Sequence, residues 1–139
     1  MSTFEAIPKT LGIDEPWSEQ GGVYWLNYSG LKPDLKVRDV AAAMNTAGAR
    51  FITITAYELP KAAGFRLEYH WDLGGRLLGV AFQIGNAIDS IYDLSEAVDW
   101  IEREVHEGFG VNFLGREYEP LLLRAGDRVG VNMREEVAK

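Results

Sequence analysis

Between Phe65 and Gln83 the residue order leaves the backbone little choice. Phe65, Leu67, Tyr69 and Trp71 alternate with Arg66, Glu68, His70 and Asp72, and a period of two is that of a strand with one face buried and one wet. Gly74-Gly75 follows and supplies the positive φ angles of a two-residue turn. Arg76 to Gln83 then returns antiparallel, with Leu78, Val80 and Phe82 on a common face.

The remaining elements are placed around this hairpin. Val23-Tyr24-Trp25-Leu26-Asn27-Tyr28 is β-branched and aromatic and predicts a strand. Asp34 is placed to cap a helix whose apolar face is Val37, Val40, Ala41 and Met44, and Gly48 to close it in the left-handed conformation. Phe51 to Thr55 predicts a strand too apolar for an open edge, and Glu58 to Gly64, with its proline, a loop. After a turn at Gly85-Asn86, Ile88 to Tyr92 predicts a short strand. Leu94, Ala97, Val98, Ile101 and Val105 recur at helical spacing. Asp93 is the expected cap of that helix, with Glu96 reaching back, and Gly108 and Gly110 its expected stop. Helices bracketing hairpin-linked strands imply an α+β fold, a two-layer domain of mostly antiparallel sheet with two helices packed on one face. The expected division is an irregular arm over 1–21, the α+β domain over 22–115 and a short C-terminal docking tail over 116–139.

Composition narrows the function. A net charge of −7 without a Lys/Arg cluster argues against a nucleic-acid partner. Without cysteine there is no disulfide, no thiolate metal site, no iron–sulfur cluster ligated by this chain and no cysteine nucleophile. The apolar run Leu77 to Phe82 is far short of the approximately 20 residues of a membrane helix. Met1 to Glu5 shows neither a basic start nor an apolar stretch, so neither a secretory leader nor direct membrane insertion is expected.

Reactive constellations are scarce. His70 and His106 are the only histidines. Glu102 and His106, four apart, share a helix face and are a weak candidate pair of metal ligands, but the spacing of the carboxylate-bundle iron motif is absent. Glu102 and Glu104 point about 200° apart around a helix and cannot flank one bond. No phosphate-binding glycine loop or nucleophile elbow occurs, and Ser90 has no histidine near it in sequence. His70 is expected to face water.

The stretch after Asp99 carries more. Asp99, Arg103 and Glu107 follow at four-residue steps, the spacing of a solvated salt-bridge stripe. Behind them, Phe109, Val111 and Phe113 sit among Gly108, Gly110 and Gly115, and Tyr118 and Leu121-Leu122-Leu123 extend the apolar segment. With Trp100 this is more apolar surface than one helix and tail can tuck under a small sheet, and the surplus reads as a partner patch.

The order Glu102-Arg103-Glu104, then Glu107, Phe-Gly-Val-Asn-Phe over 109–113, a basic residue at Arg116 and Pro120 before two aliphatics resembles the signature of the thirty-kilodalton subunit of respiratory complex I. That complex is the NADH-quinone oxidoreductase, and the subunit has relatives in membrane-bound hydrogenases. Gly108 stands where an apolar residue is usual, and Arg116 where His or Lys is usual. The resemblance spans approximately Val23 to Leu123.

It implies a non-catalytic subunit, peripheral on the cytoplasmic side of the membrane, docking on the large quinone-pocket subunit, or a hydrogenase large subunit, beside iron–sulfur subunits. NADH, FMN, iron–sulfur clusters and quinone would belong to other subunits, and no cofactor to this chain. Trp100, Glu102, Arg103, Glu104, Glu107, Phe109, Phe113, Arg116, Tyr118 and Pro120 are the docking candidates. A stand-alone α+β domain, binding a small ligand or acting as an interaction module, is the competing expectation.

Overall fold

The computed structural model describes residues 3–117. Five strands form one sheet: β1 (Ser18–Gln20), β2 (Val23–Leu26), β3 (Arg50–Glu58), β4 (Phe65–Leu73) and β5 (Arg76–Ile84), in the order β1-β2-β5-β4-β3. Three of the four pairings are antiparallel and β2 runs parallel to β5. Two further short strands, β6 (Ala87–Asp89) and β7 (Asn112–Leu114), pair parallel in a separate ladder. The helices are α1 (Thr3–Thr10), α2 (Val37–Ala47) and α3 (Asp99–Phe109). The α+β fold expected from the element order is the fold observed.

The hairpin is where its alternation puts it. Phe65, Leu67, Tyr69 and Trp71 on β4, and Leu78, Val80 and Phe82 on β5, are buried in one core with Val37, Val40, Ala41 and Met44 of α2 and Val105 of α3. Tyr69 stacks on Trp71 at 6.0 Å between ring centroids, and Phe51 meets Trp71 edge-on at 5.8 Å. Each such side chain contributes about 1.5–3 kcal/mol when fully removed from water. Gly74 and Gly75 turn the hairpin at φ 60 and 90, and Gly48 closes α2 at φ 82.

The other sheet face is closed by side chains of the sheet itself. Trp25 on β2 lies over Gly79 of β5, close enough that a Cβ there would stand 2.7 Å from the ring. His70 packs edge-on against Trp25 at 5.4 Å. It is half-buried and not simply facing water, its Nδ1 has no hydrogen-bond partner, and burial pulls its pKa below the ordinary value. The Arg66 guanidinium covers the Tyr28 ring at 4.9 Å and pairs with Glu68 at 2.8 Å.

Four expectations are corrected. The arm expected to be irregular over 1–21 holds a helix and is docked over its described residues: Ile7 and Ile13 are in the core, α1 lies against α2, and Phe4 stacks on Trp17 at 4.9 Å while Trp17 Nε1 donates to Phe4 O. Ile7, Ile13, Phe4 and Trp17 are spaced without a regular period, which is why the pattern did not show a helix there. Asp34 does not cap α2, which begins after Lys36 with no side-chain cap. Asp93 does not cap α3 either. A 3-10 turn over Glu96–Val98 leads into that helix, and Asp93 is taken by a two-bond ion pair with Arg38 at 2.7 and 2.8 Å. Finally, β3 does lie at the sheet edge. Its apolar residues are accommodated because α3 and the 3-10 turn pack against it and a register shift between Phe51 and Thr53 distorts the edge.

The fit of Trp25 over Gly79 predicts that Gly79→Ala costs about 1–3 kcal/mol, the usual penalty for forcing a methyl into filled space. Urea denaturation of Gly79→Ala, alone and combined with Trp25→Leu, checks this: the second change should recover part of the loss.

Candidate docking site

α3 is the element that positions the site. Its inner face carries Glu102, Val105, Glu107 and Gly108, all buried, and Gly110 caps it at φ 81 with its N–H donating to His106 O at 2.9 Å. Gly108 therefore does not stop the helix. It lies inside it, on the packed face.

Glu102 is the unexpected residue. Its side chain is fully buried, yet it is the hub of a polar cluster. Ser90 Oγ donates to its Oε1 at 2.7 Å, the Ile91 N–H to its Oε2 at 3.0 Å, and Arg116 Nη1 to its Oε1 at 3.1 Å. Ser90 Oγ in turn accepts the Tyr92 N–H at 3.1 Å, and Arg38 Nη1 donates to Ser90 O at 2.9 Å. Burial pushes the Glu102 pKa up from its ordinary value, against the opposing pull of Ser90, the Ile91 N–H and Arg116.

Arg116 spans the cluster. Its second nitrogen reaches Asp99 Oδ1 at 2.5 Å, and its guanidinium lies over the Tyr92 ring at 5.0 Å. Asp99 also pairs with Arg103 at 3.3 Å. So one cation ties three parts of the chain together: the end of β6, the first turn of α3 and the backbone after β7.

The other candidates divide between interior and surface. Trp100 is 56% exposed, and its Nε1 donates to Glu104 Oε2 at 3.2 Å. Tyr92 at 39% and Leu114 at 46% are the other large apolar side chains exposed along this part of the chain. Phe113, by contrast, is 1% exposed and belongs to this chain's own core, and Phe109 is half-buried against Phe65. Glu107 is buried, so no solvated stripe runs the length of α3. Glu102, Glu107 and Phe113 are thus unavailable as surface anchors, because the short β6–β7 ladder folds the segment after the helix back under the domain. Tyr118 and Pro120, with the tail after Glu117, lie outside the described residues.

Glu102 and His106 do not converge on a point. The carboxylate turns inward to Ser90 and Ile91, while His106 Nδ1 sits 2.9 Å from Val111 O. Among the described residues no group of three metal-ligating side chains forms, and no helix is long and apolar enough to cross a membrane. Sequence reasoning named Glu102 and Arg116 as docking residues and did not join them to each other or to Ser90, Ile91, Tyr92 and Arg38. Nothing in their spacing marks them, since they join the cluster only through the fold.

These features define an α+β domain with an ion-paired corner and an exposed tryptophan. The family profile described as respiratory-chain NADH dehydrogenase, 30 Kd subunit, matches residues 32–138, and this chain belongs to that family. Two solved structures share the fold. One is a chain of the membrane-bound sulfane sulfur reductase, an archaeal respiratory membrane complex, at 22% identity and a TM-score of 0.68, covering 88% of this chain and 75% of that one. The other is a trypsin-resistant fragment (1-134) of Nqo5, at 20% identity and a TM-score of 0.55, covering 75% of this chain and 89% of that one.

Removing the Glu102 carboxylate takes the acceptor from the Ile91 amide and the Ser90 hydroxyl and leaves Arg116 with Asp99 as its remaining carboxylate partner among the described residues, so Glu102→Ala should cost about 3–5 kcal/mol in urea denaturation. The sign of the pH dependence follows from the raised pKa. The carboxyl's favourable contribution is complete below its ordinary value of 4.5 and is lost as pH rises through the higher folded value. The stability of wild type relative to Glu102→Gln should therefore fall as pH rises from 4.5 through the folded value and level off beyond it. Parallel pH–stability curves would contradict the assignment.

Proposed function

We propose that this chain is a non-catalytic, peripheral-arm subunit of a complex-I-like NADH:quinone oxidoreductase, docking on the large subunit that holds the quinone pocket. The family match over residues 32–138 carries the reading. The geometry supports it: Trp100 keeps most of its ring in water although the domain has a well-filled core, and it stands on the helix that Arg116 locks in place. Tryptophan and arginine side chains on a rigid element are typical of the few residues that carry an interface's affinity.

In this reading the ion pairs of Asp99, Arg103 and Arg116 hold the surface in shape, and Trp100, Tyr92 and Glu104 present it. Nicotinamide, flavin, iron–sulfur clusters and quinone are handled by other subunits, and the chain meets the cytoplasmic side of the membrane through them. The chain supplies binding area and orientation, and no bond-making group.

The test is recovery of the large subunit with an affinity-tagged chain expressed beside its gene neighbours. Trp100→Ala should lower recovery at least tenfold while leaving the thermal melt of the isolated chain unchanged, since the ring is largely exposed. Equal recovery with wild type and Trp100→Ala, or a tagged chain that elutes alone, overturns the proposal.

A further inference from the structure

Three of the four tryptophans meet another ring of this chain: Trp17 stacks on Phe4, Trp25 meets Tyr28 and His70 edge-on, and Trp71 lies in the core against Tyr69 and Phe51. Trp100 is the exception. It is 56% exposed and has neither a ring nor a guanidinium against it among the described residues. Its indole is nevertheless held at one edge, because Nε1 donates to Glu104 Oε2 at 3.2 Å one turn further along α3. Glu96, four residues before Trp100, stands on the 3-10 turn that leads into the helix. Acid, indole and acid thus follow at four-residue steps along one stretch of outward surface.

The charge of this corner is not cancelled by its own cations. Between Asp89 and Glu117 eight acidic residues stand against two arginines, so most of the chain's net charge of −7 collects here. Arg103 pairs with Asp99, Arg116 with Asp99 and the buried Glu102, and Arg38, reaching in from α2, is held by Asp93 through two bonds. Each guanidinium already has a carboxylate to balance it. Glu96 and Glu117 are exposed and Glu104 half-exposed, and none of the three has an ion pair among the described residues.

The molecule itself shows what a ring beside a carboxylate holds. Arg116 lies 5.0 Å over the Tyr92 ring while bonding Asp99 and Glu102, and Arg66 lies 4.9 Å over the Tyr28 ring while pairing with Glu68. Trp100 and Glu104 repeat that ring and carboxylate on the surface. We infer that Trp100, with Glu96 and Glu104 on either side, receives an arginine from a basic patch of the partner subunit, its guanidinium flat on the indole and its nitrogens on one of the two carboxylates. Tryptophan offers a cation the best ring face, and the planar guanidinium can stack and bond a carboxylate at once, whereas a lysine ammonium is a point charge. Opposite charge across the interface also steers the two surfaces into register. The inference rests on the subunit reading above and specifies the chemistry the partner must present at that surface.

The experiment uses the tagged full chain, expressed beside its gene neighbours, with the captured complex washed at rising salt. A trifluorinated tryptophan placed at position 100 keeps the apolar shape and drains the negative face of the ring, so the large subunit should be released about tenfold faster than from the natural indole. Glu96→Gln/Glu104→Gln keeps an acceptor for the indole N–H and removes the charge. It should speed release at low salt, flatten the salt dependence and leave the melt of the free chain unchanged. If Trp100→Ala lowers recovery but the fluorinated ring holds the large subunit as well as the natural one, the indole is an apolar anchor only: the inference is overturned and the subunit reading stands. Release from the double glutamine variant that matches wild type at every salt concentration overturns it equally. A tagged chain that comes out alone overturns both.

Discussion

A fully buried glutamate sets the terms for the second half of this molecule. Taking a carboxylate out of water costs several kcal/mol unless donors replace the solvent, and Glu102 is matched from three directions by Ser90, the Ile91 amide and Arg116. Those donors come from the end of β6 and from beyond β7, so the cluster cannot be satisfied until helix and ladder are both in place. Arg116 extends the constraint outward to Asp99 and Tyr92. The surface around Trp100 inherits its shape from this internal polar knot.

The sheet meets a different demand, because among the described residues its helices lie on one face. There the aromatic row of β4 meets α2 and α3. On the other face, Trp25 laid over Gly79 and Arg66 laid over Tyr28 replace the missing layer. A glycine in mid-strand normally weakens a sheet, and here it opens the space an indole occupies.

Membership in the thirty-kilodalton subunit family and the placement of the aromatics fit together physically. Phe113 and Val111 are spent on the chain's own core, whereas Trp100, Tyr92, Leu114 and Leu31 remain in water. Scattered exposed apolar residues are normal, and Trp100 and Tyr92 are the two of these on or beside α3, with the Arg116 guanidinium over the Tyr92 ring. The ion pairs of Asp99 with Arg103 and Arg116 fix the first turn of the helix that carries Trp100.

What the residue order determined by itself was whatever depends on local period and on backbone freedom. The β4–β5 hairpin, α2 and its glycine cap, the helical spacing of α3, the absence of thiol chemistry and the family signature were all legible before any coordinate. Tertiary structure alone decided the rest. It put Glu102 inside and Glu104 outside, placed β3 at an edge, packed Phe4, Ile7, Ile13 and Trp17 onto the core, and turned Asp93 from an expected helix cap into a partner of Arg38. Each of those outcomes rests on contacts between residues far apart in the chain, whose energies no local window contains.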